Sequence, residues 1–348
     1  MNAAAAVLCG LGTWLPPQAV TNDDLARELD TSDDWIRTRT GIGTRFVAAP
    51  TVATSDLAVE AGRRALTSAG RDAVDGVVLA TTTPDRPCPA TAPLVAARLG
   101  LGTVAAFDVG AVCTGFLYAL ATGAGLIAAG TAGSVLVIGA DTYSRILDPV
   151  DRSTRAIFGD GAGAVVLRSG GATEPGALGS AVLGSDGTGS ELITVRSGGS
   201  REPLHTSGTS GTSGTSGADT GTDGPADPYF RMAGKAVFRG AVERMADAAL
   251  TAARRAGWTT DDIDRLVAHQ ANLRILHAVA DRMRLPRHRC PVHLDQVGNT
   301  AAASIPLALA HAVATGTLAP GHRTVLTAFG GGLTWGACTL RWPALTPA

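Results

Sequence analysis

Asp108-Val109-Gly110-Ala111-Val112-Cys113-Thr114-Gly115-Phe116 starts as an apolar, strand-like run and gives way to a helix of small residues that closes at Gly130. From Leu99 to Ala140, Asp108 is the only charge. A stretch so apolar either crosses a membrane or lies sandwiched inside a large soluble core. Its best continuous helical piece, Cys113–Ala129, falls short of the ~20 residues a span needs, and Gly and Thr stud it throughout. The expectation is therefore a helix buried from all sides and no membrane insertion.

Working outward, short apolar runs alternate with helical patterns. Strands are expected at Gly76–Ala80, Ser134–Gly139, Ala164–Leu167, Arg265–Ala268 and Arg323–Ala328. Helices are expected at Ser55–Ala69, Cys113–Ala129, Ala236–Ala256 and Ala301–Thr315. That alternation implies an α/β architecture with largely buried sheets. An internal repeat runs through it. Ala69-Gly70 and Ala256-Gly257 each end a helix and lead, through Val74-Asp75 or Ile263-Asp264, into a strand. Cys113 and Asn299 each stand before a small-residue helix that closes at a glycine, Gly130 or Gly316, followed by another apolar strand. Chance similarity among Ala-rich helices is the plainer account. The repeat account gives two similar halves, 1–170 and 171–348, with Cys113 and Asn299 at corresponding helix starts.

Composition narrows the classes. The 348 residues suit two or three domains or one large α/β unit; 45% are hydrophobic and 17% charged, which excludes wholesale disorder. The net charge is −1 and no basic run occurs, so nucleic-acid and anionic-membrane binding lack their electrostatic footprint. Of the 29 cations only Lys235 is lysine, a codon bias and not a chemistry. Five cysteines, at 9, 88, 113, 290 and 338, form no C-x-x-C pair. That argues against a disulfide framework or structural zinc and for a reducing, cytoplasmic setting. The start, Met1-Asn2-Ala3-Ala4-Ala5-Ala6, has no basic n-region, so no signal peptide is expected. Thr206 to Gly217 is four tandem Thr-Ser-Gly triplets; it cannot bury apolar area and should be a flexible surface loop.

Three residues stand out as chemistry. Cys113 at a helix start would see unpaired backbone N–H groups and the positive end of the dipole, which favour a thiolate nucleophile; a buried structural thiol is the equal alternative. His269, in Ala268-His269-Gln270-Ala271-Asn272, ends a strand, where α/β sites collect, though it could be a satisfied core histidine. Asn299, in Val297-Gly298-Asn299-Thr300, is by default a turn or N-cap. Gly159-Asp160-Gly161-Ala162-Gly163 looks like a phosphate loop but precedes its strand, so no dinucleotide fingerprint is assigned. Lys235 lacks the preceding frame of a nucleotide loop. His288, Cys290 and His293 fit no common zinc spacing, so no metal is expected.

The words Thr31-Ser32-Asp33-Asp34-Trp35-Ile36, Thr38-Arg39-Thr40-Gly41-Ile42, Asp151-Arg152-Ser153-Thr154, Phe158-Gly159-Asp160-Gly161-Ala162-Gly163-Ala164, His269-Gln270-Ala271-Asn272, Gly298-Asn299-Thr300 and Phe329-Gly330-Gly331-Gly332 occur in that order. Seven in series closely resemble β-ketoacyl-acyl-carrier-protein synthase III, the initiating condensing enzyme of fatty-acid and some polyketide pathways. The resemblance spans nearly the whole chain except the Thr-Ser-Gly loop. It implies the thiolase fold, two similar halves forming a five-layered αβαβα sandwich, and a cytoplasmic homodimer. It implies that Cys113 is acylated by an acyl-CoA, with backbone N–H groups of Cys113 and Gly331 as the oxyanion hole. His269 Nε2–H and the Asn299 amide would then hold the enolate formed when malonyl-acyl-carrier-protein loses CO2, and the carbanion would attack acyl-Cys113. No cofactor is implied beyond these substrates.

By the same resemblance Trp35 and Arg152 sandwich the adenine of CoA, Thr31 and Arg39 neighbour the nucleotide, and Asn272 lines the pantetheine tunnel. Arg274 lies on the rim that meets the acidic carrier protein, and Phe158 lines the acyl pocket. Cys88, in Arg86-Pro87-Cys88-Pro89, departs from the pattern: many relatives place Phe there, supplied across the dimer to close the acyl pocket. A smaller residue should deepen it and admit primers longer or more branched than acetyl. Two other readings stay open, an acyltransferase of the same fold acting on a small alcohol or amine, and a non-enzymatic starter-selecting subunit.

Overall fold

A computed structural model describes residues 5–204 and 227–348; the Thr206–Gly217 expectation lies outside the described residues. Two sheets organise the chain. The first has five strands in the order Ala5–Trp14, Gly161–Gly170, Ser134–Asp141, Gly76–Ala80 and Ala105–Val109, with the last three mutually parallel. The second has four, in the order Arg265–Ala268, Arg323–Gly330, Thr334–Arg341 and Val182–Ser185. Every residue of Gly76–Ala80 and Ser134–Asp141 is buried, as expected of parallel strands covered on both faces.

The helices Gly115–Ala128 and Ser304–Ala314 pack between the sheets, Thr54–Ala69 covers the outer face of the first, and Gly234–Arg255 and Leu273–Arg282 lie beyond the second. This is the five-layered thiolase-like sandwich. Its middle layer carries no charged residue in Gly115–Ala128, though the helix expected to be buried from all sides is not: Gly125 and Ala128 are exposed, and only the faces turned to the two sheets are covered. Phe116, Leu117, Leu120, Ile305 and Leu309 fill the space between the sheets.

Each central helix is entered through a short 3-10 turn, Val112–Thr114 or Ala301–Ala303. Each turn opens on a non-glycine residue in the left-handed region, Val112 at φ 47° and Ala301 at φ 46°, a strained conformation that surrounding structure must hold. The helix expected at Cys113–Ala129 is thus a turn followed by a helix. Cys113 is the second residue of its turn, opposite Ala302, whereas Asn299 lies two residues before Ala301, so the two do not occupy corresponding positions. The helix ends do correspond: Gly130 at φ 71° and Gly316 at φ 69° both follow in left-handed conformation.

The two turns lean on opposite sheets. Gly330, ending a strand of the second sheet, sits where a Cβ would come within 2.9 Å of both Cys113 N and Thr114 N. Gly139, in the first sheet, sits where a Cβ would collide with the Ala302 carbonyl. Only glycine permits these approaches.

Candidate active site

Cys113, His269 and Asn299 line one cavity of about 40 Å³. The walls are apolar: Phe158, Ile193, Phe230, Met232 and Phe329, with Gly330 at the floor. All three polar residues are buried, at 8%, 2% and 4% exposure.

Of the two readings of Cys113, burial is the one the structure shows. Burial, with the Asp141 carboxylate adding to it, pushes the thiol well above its ordinary value. Loss of water outweighs the helix-terminal field, which supplies only ~0.3–2 kcal/mol. Beside the thiol the glycine turn is tied down by Thr334, whose Oγ1 lies 3.1 Å from the Gly331 carbonyl and 3.3 Å from the Ala111 carbonyl. Gly330 abuts the Cys113 backbone, and Gly331 borders Val112 and Ile193.

His269 follows the strand Arg265–Ala268, and its N–H donates to the Thr327 carbonyl at 2.8 Å. Gln270 anchors that strand end: its side chain donates to the Ala268 and Pro291 carbonyls and accepts from the N–H groups of His293 and Leu294. Burial lowers the His269 pKa to about 3, so the ring is neutral.

Asn299 is fixed by three contacts. Its N–H donates to the Ile157 carbonyl, and its carbonyl accepts from Gly159 N–H, clasping it to the segment that carries Phe158. A Cβ on Gly159 would come within 2.7 Å of the Val297 carbonyl. The phosphate-loop look of Gly159-Asp160-Gly161 therefore reflects this packing, with Asp160 accepting from Ala48 N, Ser144 N and Ser144 Oγ. In the side chain, Ala301 N–H donates to Oδ1 at 2.9 Å. An N–H can only meet the oxygen, so the amide orientation is settled and Nδ2 is left as a donor.

Three features were absent from the sequence reading. Asp141 is fully buried, with its pKa raised to about 6 by burial. It accepts from Thr82 N at 2.7 Å and Ala302 N at 3.0 Å, and lies 3.3 Å from the Thr81 and Thr83 hydroxyls. It thereby holds the turn that follows Asn299. Tyr143 stacks on Phe158 with centroids 4.4 Å apart and packs edge-on to Phe230, forming one cluster with Cys113. Ser304 lies 2.6 Å from His269 Nδ1. A short Thr run after a strand and a Ser five residues past Asn299 were the available signals, and neither residue type is distinctive.

Trp35 lies in the helix Asp33–Thr40, capped by Ser32, whose Oγ accepts from Trp35 N at 3.1 Å, and ended by Gly41 at φ 82°. The Arg39 and Arg152 guanidinium carbons lie 4.4 and 5.1 Å from its ring centroid, and Arg152 pairs with Asp30 at 2.8 Å. Thr31 Oγ1 is buried without a partner among the described residues. Asn272 caps the helix Leu273–Arg282, donating also to the Arg39 carbonyl, and Arg274 donates to the Thr38 carbonyl. The structure thus places Trp35, Arg39, Arg152, Asn272 and Arg274 along the Trp35 helix, Arg152 with Trp35 at its start and Asn272 and Arg274 on the carbonyls of its last turn. Cys88 is exposed and does not line the cavity.

His288 is exposed, Cys290 is buried and His293 stacks on His311. Among the described residues no three His, Cys, Asp or Glu side chains are grouped to hold a metal, and no helix is long and apolar enough to cross a membrane.

Residues 107–187 match the family model for 3-oxoacyl-[acyl-carrier-protein (ACP)] synthase III, and residues 253–342 match its C-terminal model. A Streptomyces coelicolor protein, beta-ketoacyl-[acyl-carrier-protein] synthase III 3, is 60% identical over 345 residues, 99% of each chain. The chain belongs to the β-ketoacyl-acyl-carrier-protein synthase III family. The synthase III of Pseudomonas aeruginosa PAO1 is 53% identical over 343 residues. A crystal structure of 3-oxoacyl-(acyl carrier protein) synthase III from that organism superposes with a TM-score of 0.89, covering 99% of this chain and 100% of that one. The priming β-ketosynthase of the R1128 polyketide pathway superposes at 0.86 with 33% identity, covering 99% and 97%. The synthase III assignment makes this chain an acyltransferase of the condensing type.

Proposed function

We propose that this synthase III joins an acyl-CoA primer to malonyl-acyl-carrier-protein by decarboxylating Claisen condensation, giving a 3-oxoacyl product that starts a fatty-acid or polyketide chain. The carrying observation is that Cys113, His269 and Asn299 meet in one buried cavity with the Asn299 amide turned to donate. Cys113 Sγ attacks the primer thioester and CoA leaves as the thiol. Malonyl thioester then enters; CO2 departs, and charge gathers on the thioester oxygen, where His269 Nε2–H and Asn299 Nδ2–H stabilise it. Its α-carbon attacks the acyl-Cys113 carbonyl, the C–S bond breaks, and Cys113 leaves as a thiolate that takes up a proton from solvent. The tetrahedral oxyanion sits on the Cys113 and Gly331 N–H groups. Thioester chemistry of this kind asks for no metal or redox cofactor.

The cation-flanked Trp35, with Arg39, Arg152 and Thr31, supports a nucleotide site for CoA, and Asn272 an adjoining pantetheine path. Exposed Arg274 suits an acidic carrier protein. The first sheet ends in Ala105–Val109, whose outer edge pairs with no strand among the described residues; a second copy across that edge would make the homodimer and bring its Cys88 loop toward the Phe158 wall. Segments 1–170 and 171–348 would serve as the Cys half and the His-Asn half, in a cytoplasmic enzyme that binds no nucleic acid. Simple acyl transfer to an alcohol or amine has no enolate to hold, and the donating Asn299 speaks against it. Cys113→Ala tests the core of the reading: intact mass should show no acyl adduct with acyl-CoA. Stoichiometric acylation of that variant sinks the assignment.

A further inference from the structure

The Ser304 hydroxyl is buried beneath the His269 ring, at 2% exposure. Among the described residues it has two hydrogen-bond partners, His269 Nδ1 at 2.6 Å and Gln270 N at 3.4 Å. A backbone N–H can only donate, so the Gln270 contact uses an oxygen lone pair. The serine proton then has one acceptor, the ring nitrogen. Ser304 is the first residue of the central helix Ser304–Ala314, with helical backbone at φ −64° and ψ −39°. It is rigidly placed, following the turn that Asp141 holds through Ala302.

We propose that Ser304 is a positioning residue that donates its hydroxyl proton to His269 Nδ1 and so fixes the neutral imidazole as the Nε2–H tautomer. This rests on the reading of His269 as an enolate-oxygen donor, and it says how that donor is prepared. With Nδ1 engaged as an acceptor, the single ring proton must sit on Nε2, the atom facing the cavity. The ring is held neutral by burial and cannot become a general donor at both nitrogens at working pH. An Nε2–H ring also cannot take a proton at Nε2, so Cys113 does not use His269 as its base during acylation. The two half-reactions therefore part company at Ser304: decarboxylation needs it, and acylation does not.

The test uses the full chain labelled with ¹⁵N-histidine. Seven histidines contribute signals, and a His269→Asn variant identifies the pair that belongs to His269. In wild type, long-range ¹H–¹⁵N correlation should show Nδ1 unprotonated and Nε2 protonated. In Ser304→Ala the His269 signals should shift toward a mixture or the Nδ1–H form. Malonyl decarboxylation should then fall by about tenfold or more, where a wrong tautomer costs ~10⁴ in a Ser-His-Asp triad, with acylation by acyl-CoA retained. Ser304→Thr, which keeps the hydroxyl, should restore the wild-type tautomer. A protonated Nδ1 in wild type overturns the proposal without reference to any variant. An Nε2–H ring that persists in Ser304→Ala also overturns it, since Ser304 then does not fix the tautomer. If wild type holds Nε2–H, Ser304→Ala shifts it and decarboxylation is unchanged, the positioning by Ser304 is upheld and the donor role of His269 is what falls.

Discussion

Replacing Asn299 by Asp changes one atom in a cavity whose geometry is fixed around it. Ala301 N–H, now bonded to Oδ1 at 2.9 Å, can bond equally to a carboxylate oxygen, so the local backbone should hold and Tm should move by no more than a few degrees. What disappears is the Nδ2 donor. Loss of one donor to a developing oxyanion costs about 10²–10³ in rate, or ~2.7–4 kcal/mol. The new carboxyl is buried among Phe158, Phe230 and Phe329, and Asp141 already bonds Ala302 N–H at 3.0 Å, one residue beyond Ala301. Burial and a like charge both raise a carboxyl pKa. Once protonated, the introduced carboxyl regains a donor, so the residual condensation should climb as pH falls, a trend wild type lacks. The assay separates two half-reactions: acylation of Cys113 by acyl-CoA, read by intact mass, and CO2 release from malonyl-acyl-carrier-protein. Acylation should stay within a few-fold of wild type. Equal losses in both half-reactions, or decarboxylation within tenfold of wild type, would refute the role assigned to Asn299.

Trp35→Ala should raise KM for acyl-CoA about tenfold, the loss of ~1–2 kcal/mol of stacking and cation–π contact, and leave single-turnover condensation from preformed acyl-Cys113 unaltered. Cys88→Phe should move kcat/KM toward acetyl-CoA and away from hexanoyl- and isobutyryl-CoA, each excluded methylene being worth about 0.8 kcal/mol; an unchanged chain-length profile would show that Cys88 does not reach the pocket. Asp141 has a folded pKa of about 6 against an ordinary 3.8. The folded state thus favours its protonated form, and the stability it contributes is full below about pH 4 and lost as pH rises through 6. Asp141→Asn removes that dependence. Its stability relative to wild type should therefore rise by ~3 kcal/mol between pH 4 and 7 in urea titrations, and a pH-independent difference would count against the shift.

The layers were legible because the middle one has an unusual demand. A helix packed between two sheets has apolar neighbours on two sides and must be uncharged and small, and Gly115–Ala128 announces that in composition alone. The fully buried runs Gly76–Ala80 and Ser134–Asp141 were legible for the same reason. Cys113, His269 and Asn299 could be read as candidates because strand ends and helix starts are where α/β sites collect, and the seven words ordered them. The choice between an activated and a buried thiol at Cys113 stayed open in the sequence. A helix start is visible in sequence, whereas the depth at which it lies is a property of everything packed above it. Asp141 was hidden for a related reason: its partners Thr81, Thr82, Thr83 and Ala302 come from separate segments. Cys113 and Asn299 looked equivalent because the helix ends agree in spacing; the turns that start those helices, set by Val112 and Ala301, do not.

Gly139 and Gly330 have a consequence for how the chain can be divided. The floor under Cys113 is a strand end from the four-stranded sheet, and the floor under Ala302 is a strand of the five-stranded sheet. Each catalytic turn is strained at its first residue and is propped by the other sheet. Neither sheet with its own helices therefore carries a finished reaction floor, however well its strands pair. Cut between residues 170 and 171, the polypeptide would yield two fragments that are catalytically silent apart and active only when they reassociate. Unfolding of the intact chain, likewise, should proceed as one cooperative event in which losing either sheet dissolves the nucleophile's seat and the enolate's together.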